Sequence, residues 1–178
     1  TAFTYDPRFG VTTSQTDPNN VTLRYTYDGF ARVLTGSGPS PAGQEVVLKR
    51  WTYTPLPVGA STTLVEMRDW SGATATSSET VDGLQRTIRT TNEVDADCVI
   101  ATEQAYLAVD RVRQQSLPFY AAQAGRQCAR AQAPAFTVQR YDALGRLTET
   151  VNPDGTVTDF DLDIAPLDNV QRDLVVQT

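Results

Sequence analysis

YDALGRL, residues 141–147, is the stretch that decides the fold. It opens on Tyr141-Asp142, has an apolar residue at Leu144 and closes on Gly145-Arg146-Leu147. Laid over the rest of the chain, it recurs. Tyr27-Asp28-Gly29-Phe30-Ala31-Arg32-Val33 matches at Tyr, Asp, the apolar fourth position, Arg and the apolar close. Val81-Asp82-Gly83-Leu84-Gln85-Arg86 keeps Asp82, the apolar fourth position and Arg86. The copy that opens at Tyr106 keeps Tyr106, an apolar fourth position, Arg111 and Val112, and loses the Asp. A truncated variant, Tyr5-Asp6-Pro7-Arg8-Phe9-Gly10, stands near the start. First positions fall at 5, 27, 81, 106 and 141, with gaps of 22, 54, 25 and 35 residues, so the chain reads as an interrupted array. The 54-residue gap has room for a degenerate copy around Trp51–Leu56, which the motif does not align.

The copies share an order as well as a motif. A Pro/Asn/Gly turn comes first, then a strand, then the Tyr-Asp turn, then a second strand, most completely in TDPNNVTLRYTYDGFARVL. VTLRYTY, residues 21–27, alternates Val21, Leu23, Tyr25 and Tyr27 with Thr22, Arg24 and Thr26, the period of a half-buried strand. TDFDLDI alternates Phe160, Leu162 and Ile164 with Asp159, Asp161 and Asp163. Turn signals at 16–20, 69–72 and 152–155 separate such runs. The unit is a repeated hairpin. Its Asp accepts backbone amides just ahead of it, and Gly145 supplies positive φ. The Tyr ring offers a flat face to the next hairpin, and the Arg stem covers that ring while its head pairs with Asp or stays wet. On this reading Tyr27, Tyr106 and Tyr141 occupy equivalent positions, with Arg32, Arg111 and Arg146 close to the neighbouring hairpin. One hairpin alone is marginal, and stacked hairpins bury one another's apolar faces. The expected fold is all-β: repeated antiparallel hairpins in a curved, twisted ribbon or part of a β-shell, as a single segment over residues 1–178.

Composition excludes several function classes. Fifteen Lys and Arg stand against 21 Asp and Glu, a net charge of -6, which argues against a nucleic-acid partner. The chain has no histidine, so Ser–His or Cys–His catalysis and His-ligated metals are out. No apolar run reaches the length of a membrane span, and no charged-then-apolar leader opens the chain. The chain starts inside the pattern, at TAFTYDPRFG, which predicts a fragment of something longer.

Residues 92–138 break the pattern and hold both cysteines, Cys98 and Cys128. With no second cysteine beside either, a Cys-only metal site is out. The pair reads either as a disulfide in an exported protein or as two small apolar residues. AAQAGRQCARAQA, residues 121–133, predicts a short helix from its Ala, Gln and Arg content. Three further features have a plain reading and a sharper one. The Asp159/Asp161/Asp163 stripe fails the EF-hand pattern, with Ile164 at position 6 and Val170 at position 12, and reads as a solvated strand face. Trp51, Tyr53 and Trp70 read as strand packing before a sugar platform. Glu93, Asp95 and Asp97 would be needed for glycosidase chemistry, yet no apolar pocket is signalled around them.

YTYDGFARVLTGSGP, VDGLQRTIRT and QRYDALGRLTETVNPDGT resemble YD repeats, the units of Rhs (rearrangement hot spot) proteins. The order of the copies most resembles the Rhs portion of insecticidal toxin complex B-type components and related bacterial Rhs proteins. The resemblance spans roughly residues 3–36 and 66–163 and is weak over 37–65 and 120–135. It departs from the pattern where Ala31, Gln85 and Asp110 replace Gly, and nothing matches the aspartyl autoproteolysis motif that ends many Rhs cores. The resemblance implies a β-ribbon that spirals into a hollow shell around a toxic polypeptide. It thus implies a secreted or cell-surface bacterial protein, non-catalytic and without cofactor or metal. Its partners would be flanking repeats and an enclosed toxin or effector, with self-association through strand edges. Wall-associated and teneurin relatives imply an alternative role in adhesion or glycan binding, and a carbohydrate-active enzyme on a β scaffold is a distant third reading.

Overall fold

The structure, a computed structural model, describes residues 1–160 apart from residues 70 and 109. Trp70, and the Leu162, Ile164, Asp161 and Asp163 positions of the acidic stripe, therefore lie outside the described residues. The chain divides into two compact units, Thr1–Glu93 and Val94–Thr178. The first is a meander of eight antiparallel strands, each paired with the next in sequence: β1 (Ala2–Tyr5), β2 (Thr12–Thr16), β3 (Thr22–Tyr27), β4 (Val33–Pro39), β5 (Glu45–Pro55), β6 (Ser61–Arg68), β7 (Thr74–Val81) and β8 (Thr87–Glu93). A single 3-10 turn, Pro57–Gly59, joins β5 to β6. The second unit continues with β9 (Cys98–Tyr106), β10 (Val112–Ser116), β11 (Phe119–Ala122), β12 (Phe136–Tyr141), β13 (Leu147–Val151) and β14 (Val157–Asp159). The all-β, repeated-hairpin reading of the sequence is what the chain does.

The sheet of the first unit is one layer thick. Among its described residues only Gly36 and Gly38 are buried. A Cβ on Gly36 would lie 3.5 Å from the Tyr25 ring and 3.6 Å from Trp51, so the two aromatics lean over the bare glycine and shield the ladder beneath. The opposite face is a hydroxyl ladder. Directly opposed residues bond across strands: Thr16 to Thr22 at 2.9 Å, Thr26 to Thr35 at 2.6 Å, Thr62 to Thr80 at 3.0 Å and Ser78 to Thr91 at 2.6 Å. Alternation at period 2 thus sorts aromatics to one face and hydroxyls to the other.

The second unit has a small dense core. Cys98, Val99, Ala101 and Phe119 are buried, with Ser116 beside them accepting the Glu103 amide at 2.8 Å. β10 and β11 lie along the same strand, β9, with Leu117-Pro118 between them. Cys128 is joined to Cys98 by a disulfide. The helix expected over 121–133 does not form. Residues 119–122 are strand, and the stretch to 135 runs as turns and extended chain. Long-range bonds override the Ala/Gln propensity: Gln123 donates to Asp97 O and Gln132 to Tyr120 O. Gly125, at φ +75°, breaks helical geometry between them. Within residues 92–138, β9 and β10 pair with each other, and β10 pairs with β12 beyond the intervening stretch that holds β11 and Cys128.

Most of the described turns between strands share one pattern. In seven of them the first residue's N–H bonds the fifth residue's carbonyl while the fourth residue's N–H bonds the first residue's carbonyl; they begin at 17, 28, 40, 69, 82, 142 and 152. The fourth residue is then left-handed: Asn20, Ala31, Gly43, Gly72, Gln85, Gly145 and Gly155. This is a type I turn closed by a G1-like bulge, the three-residue hairpin loop. Ala31 and Gln85 sit at φ +61° and +64°, where an L side chain costs about 1–2 kcal/mol. Ala31→Gly should therefore stabilise by about 0.5–1 kcal/mol, after the extra unfolded-state entropy of glycine is charged against it. Urea unfolding checks this, and a lowered midpoint would count against the turn assignment.

Candidate functional site

The repeated Tyr-Asp-Arg turn is where the motif residues converge. In each full copy one Asp oxygen accepts two backbone amides. Asp28 Oδ1 takes Phe30 and Arg32 N–H at 2.9 Å each. Asp82 Oδ1 takes Leu84 and Arg86 at 2.9 and 3.0 Å, and Asp142 Oδ1 takes Leu144 and Arg146 at 2.9 and 2.8 Å. The second carboxylate oxygen receives the Arg Nε: Arg32 at 2.7 Å, Arg86 at 2.8 Å and Arg146 at 2.7 Å. The loop's amides and its guanidinium thus converge on one carboxylate. The side chain of the third residue in each five-residue turn points outward, with Phe30 83% exposed, Leu84 68% and Leu144 74%.

Tyr27, Tyr106 and Tyr141 are in equivalent register, paired with Val33, Val112 and Leu147 across their hairpins. The Tyr27 and Tyr141 hydroxyls tie one hairpin to the one before. Tyr27 donates to Thr12 O at 2.5 Å and Tyr141 reaches Val112 O at 2.9 Å. Tyr141 Oη is also 2.7 Å from Gln139 Oε1, so its one proton serves either acceptor. Tyr106 donates to Gln104 Oε1 at 2.7 Å. The arginines reach in the other direction. Arg32 lies 4.5 Å over the Tyr53 ring of the following hairpin, and Arg111 lies 5.7 Å over Tyr141. Gly145 makes room for that guanidinium: a Cβ there would fall 1.9 Å from Arg111 Nη1. Arg146 pairs with its own Asp142.

The degenerate copy that the 54-residue gap left room for around Trp51–Leu56 is present. Tyr53 donates to Val33 O at 3.0 Å, the same inter-hairpin bond as Tyr27 and Tyr141 make. Its turn spans 56–60, with Leu56 N–H on Ala60 O at 2.8 Å and Gly59 at φ +76°. Leu56 has no carboxylate, so Pro57 and Gly59 set the loop by backbone alone. The signal was the Pro-Val-Gly stretch lying midway across the 54-residue gap.

Hydrogen bonding holds the turn carboxylates below the usual Asp range. At Asp82 the Arg86 side chain acts most strongly, and at Asp142 the Arg146 amide does. At Asp28 desolvation is the largest single influence and works the other way, and the bonds from Arg32 and Phe30 together outweigh it. Asp6, Asp69 and Asp154 are lowered too, chiefly by the side chains of Arg8, Ser71 and Thr156. A folded pKa below the unfolded value of about 3.9 gives stability that is present above that value and lost as pH falls through the folded pKa. The urea midpoint should therefore be flat from about pH 7 to 5 and drop below about pH 4, with no imidazole step between. An unchanged midpoint near pH 3 would refute the carboxylate-centred turn.

The other candidate residues are engaged structurally. Glu93 accepts the Thr76 N–H and hydroxyl at 2.7 and 2.8 Å. Asp95 accepts the Asp97 and Cys98 amides and pairs with Arg130. Trp51 carries Lys49 Nζ 5.1 Å over its ring and packs at Gly36. Among the described residues no group of three or more Cys, Asp or Glu is placed to hold a metal ion, and no helix is long and apolar enough to cross a membrane.

Comparison with known proteins agrees with this geometry. Residues 138–165, which contain the Tyr141 turn, match the RHS Repeat family. A crystal structure of TcdB2-TccC3 superposes with a TM-score of 0.65 at 15% identity, over 89% of this chain and 11% of that one. A crystal structure of TcdB2-TccC3-TEV superposes with a TM-score of 0.65 at 13% identity, over 89% of this chain and 13% of that one. The chain thus spans about a tenth of the length of the structures it matches. No curated protein matches it.

Proposed function

We propose that this chain, whose residues 138–165 match the RHS Repeat family and whose fold resembles that of TcdB2-TccC3, is a non-catalytic wall segment of a larger β-shell that encloses or displays a toxin or effector polypeptide. The observation that carries the reading is the coupling between hairpins: Tyr hydroxyls bond backward and Arg heads stack forward, so each hairpin is completed by its neighbours. Such a unit builds a continuous wall. Flanking repeats are then its first partners. A shell excludes protease and solvent from its contents because its strand edges are paired. The Cys98–Cys128 disulfide supports a secreted or cell-surface location.

The experiment is limited proteolysis of the complete gene product. The polypeptide downstream of the repeats should survive protease concentrations that degrade the same polypeptide expressed alone. Cleavage at equal rates in both settings would sink the enclosure reading while leaving the repeat architecture intact.

A further inference from the structure

Successive turns of the first unit fall at alternate ends of its strands, because each strand pairs antiparallel with the next. The residue at the tip of the turn differs in kind between the two ends. At one end stand Phe30, Val58 and Leu84. At the other stand Asn19, Ala42 and Ser71, all of them exposed as well. The second unit repeats the rule by itself, with Leu144 in its Tyr-Asp turn and Asp154 in the turn after it.

Turn chemistry does not ask for the apolar tips. The turns that begin at 17, 28, 40, 69 and 82 make the same backbone bonds, and they close equally well over Asn, Phe, Ala, Ser or Leu. Val58 is 96% exposed at φ +61°, a left-handed conformation that costs a β-branched residue most. Asn or Gly would relieve that cost, yet an apolar side chain holds the place. The tips also stand beside one another. A Cβ on Gly83 would fall 2.7 Å from Val58 O, so the turns at 56–60 and 82–86 abut. Arg32 lies over both Phe30 and the Tyr53 ring of the next hairpin. Charge at the base of the strip is balanced, since Arg32 pairs with Asp28 and Arg86 with Asp82, each at 2.7 Å. The amides of Phe30, Arg32, Leu84 and Arg86 are spent on those carboxylates, so a partner here gains side-chain burial rather than strand addition. At the first turn the exposed Arg8 lies over Phe9 and ends the strip.

We propose that this end of the first unit docks a second copy of the chain, tip against tip. Of the two ends only this one offers an apolar strip, so like meets like, and contact between like ends closes on a two-fold axis. Three tips in a row then set Val58 against Val58 on the axis, with Phe30 against Leu84 on either side. Three side chains per copy make a contact at the small end of specific interfaces, below about 1,200 Å² in total, which suits a weak and reversible pairing. The pairing uses hairpin tips and not the open strand at β1, and it needs no enclosed polypeptide.

Sedimentation equilibrium of the 178-residue chain, from low micromolar to near-millimolar concentration, tests it and should show a monomer–dimer equilibrium. Phe30→Asn and Leu84→Asn install the residue that the like turn at 17–21 carries at Asn19, so the fold is kept. Each should weaken the dimer by about 10-fold or more, because a two-fold contact loses every side chain twice. Ala42→Asn, at the polar end, should leave it unchanged. Val58→Cys should cross-link to itself on mild oxidation, and Ala42→Cys should not. A parent that stays monomeric, a dimer that survives both tip substitutions, equal weakening by Ala42→Asn, or no cross-link at Val58→Cys would each overturn the proposal. So would phosphatidylcholine vesicles that capture the parent and not the tip variants, which would make a lipid surface the occupant.

Discussion

Replacing Cys98 and Cys128 together by serine is expected to lower the unfolding free energy by about 3.5 kcal/mol, the loop-closure entropy of a cross-link spanning some 30 residues. The effect should be large because little else holds the segment between β11 and β12. Its described ties to the rest of the unit are the Gln123–Asp97, Gln132–Tyr120 and Leu117–Ala135 backbone bonds, the Arg130–Asp95 ion pair and Arg130 stacked 4.7 Å over Tyr120. The disulfide also joins the buried group of Cys98, Val99, Ala101 and Phe119. Guanidinium unfolding of the oxidised parent and the double variant measures the difference. A loss below about 0.5 kcal/mol would mean that the closed loop is already restrained in the unfolded chain.

Tyr141→Ala should cost about 2–3 kcal/mol, less than the 3–5 kcal/mol of a fully buried ring because Tyr141 is only half-buried. Two losses add up in it: the ring under Arg111 and the hydroxyl bond to Val112. Tyr141→Phe isolates the second at about 1 kcal/mol. A double-mutant cycle with Arg111→Ala should give a coupling of about 0.5–1 kcal/mol. Zero coupling would show that the two side chains are neighbours without being partners.

The parts of the fold that could be read from the sequence are those built by local chemistry. A carboxylate at Asp28, Asp82 or Asp142 satisfies amides two and four residues ahead, so the loop is written in five consecutive letters. The replacements Ala31 and Gln85 look like departures from the motif, yet both hold the left-handed position that Gly145 holds. The backbone pattern outvotes the side chain there. The turn at 56–60 did not align with the motif for the converse reason: backbone geometry alone sets it, and Leu56 has no carboxylate to announce it. The false helix at 121–133 shows the limit of propensity. Its amides find partners on Asp97 and Tyr120, residues a local pattern cannot see.

Hydrogen–deuterium exchange at the turn amides tests the central claim, a repeated hairpin organised by one carboxylate. The amides of Phe30, Arg32, Leu84, Arg86, Leu144 and Arg146 should exchange far more slowly than unbonded loop amides, since each donates to an Asp oxygen. Asp82→Ala should release Leu84 and Arg86 and leave the Asp28 and Asp142 turns protected. Exchange at the intrinsic rate at these amides in the folded parent would contradict the account.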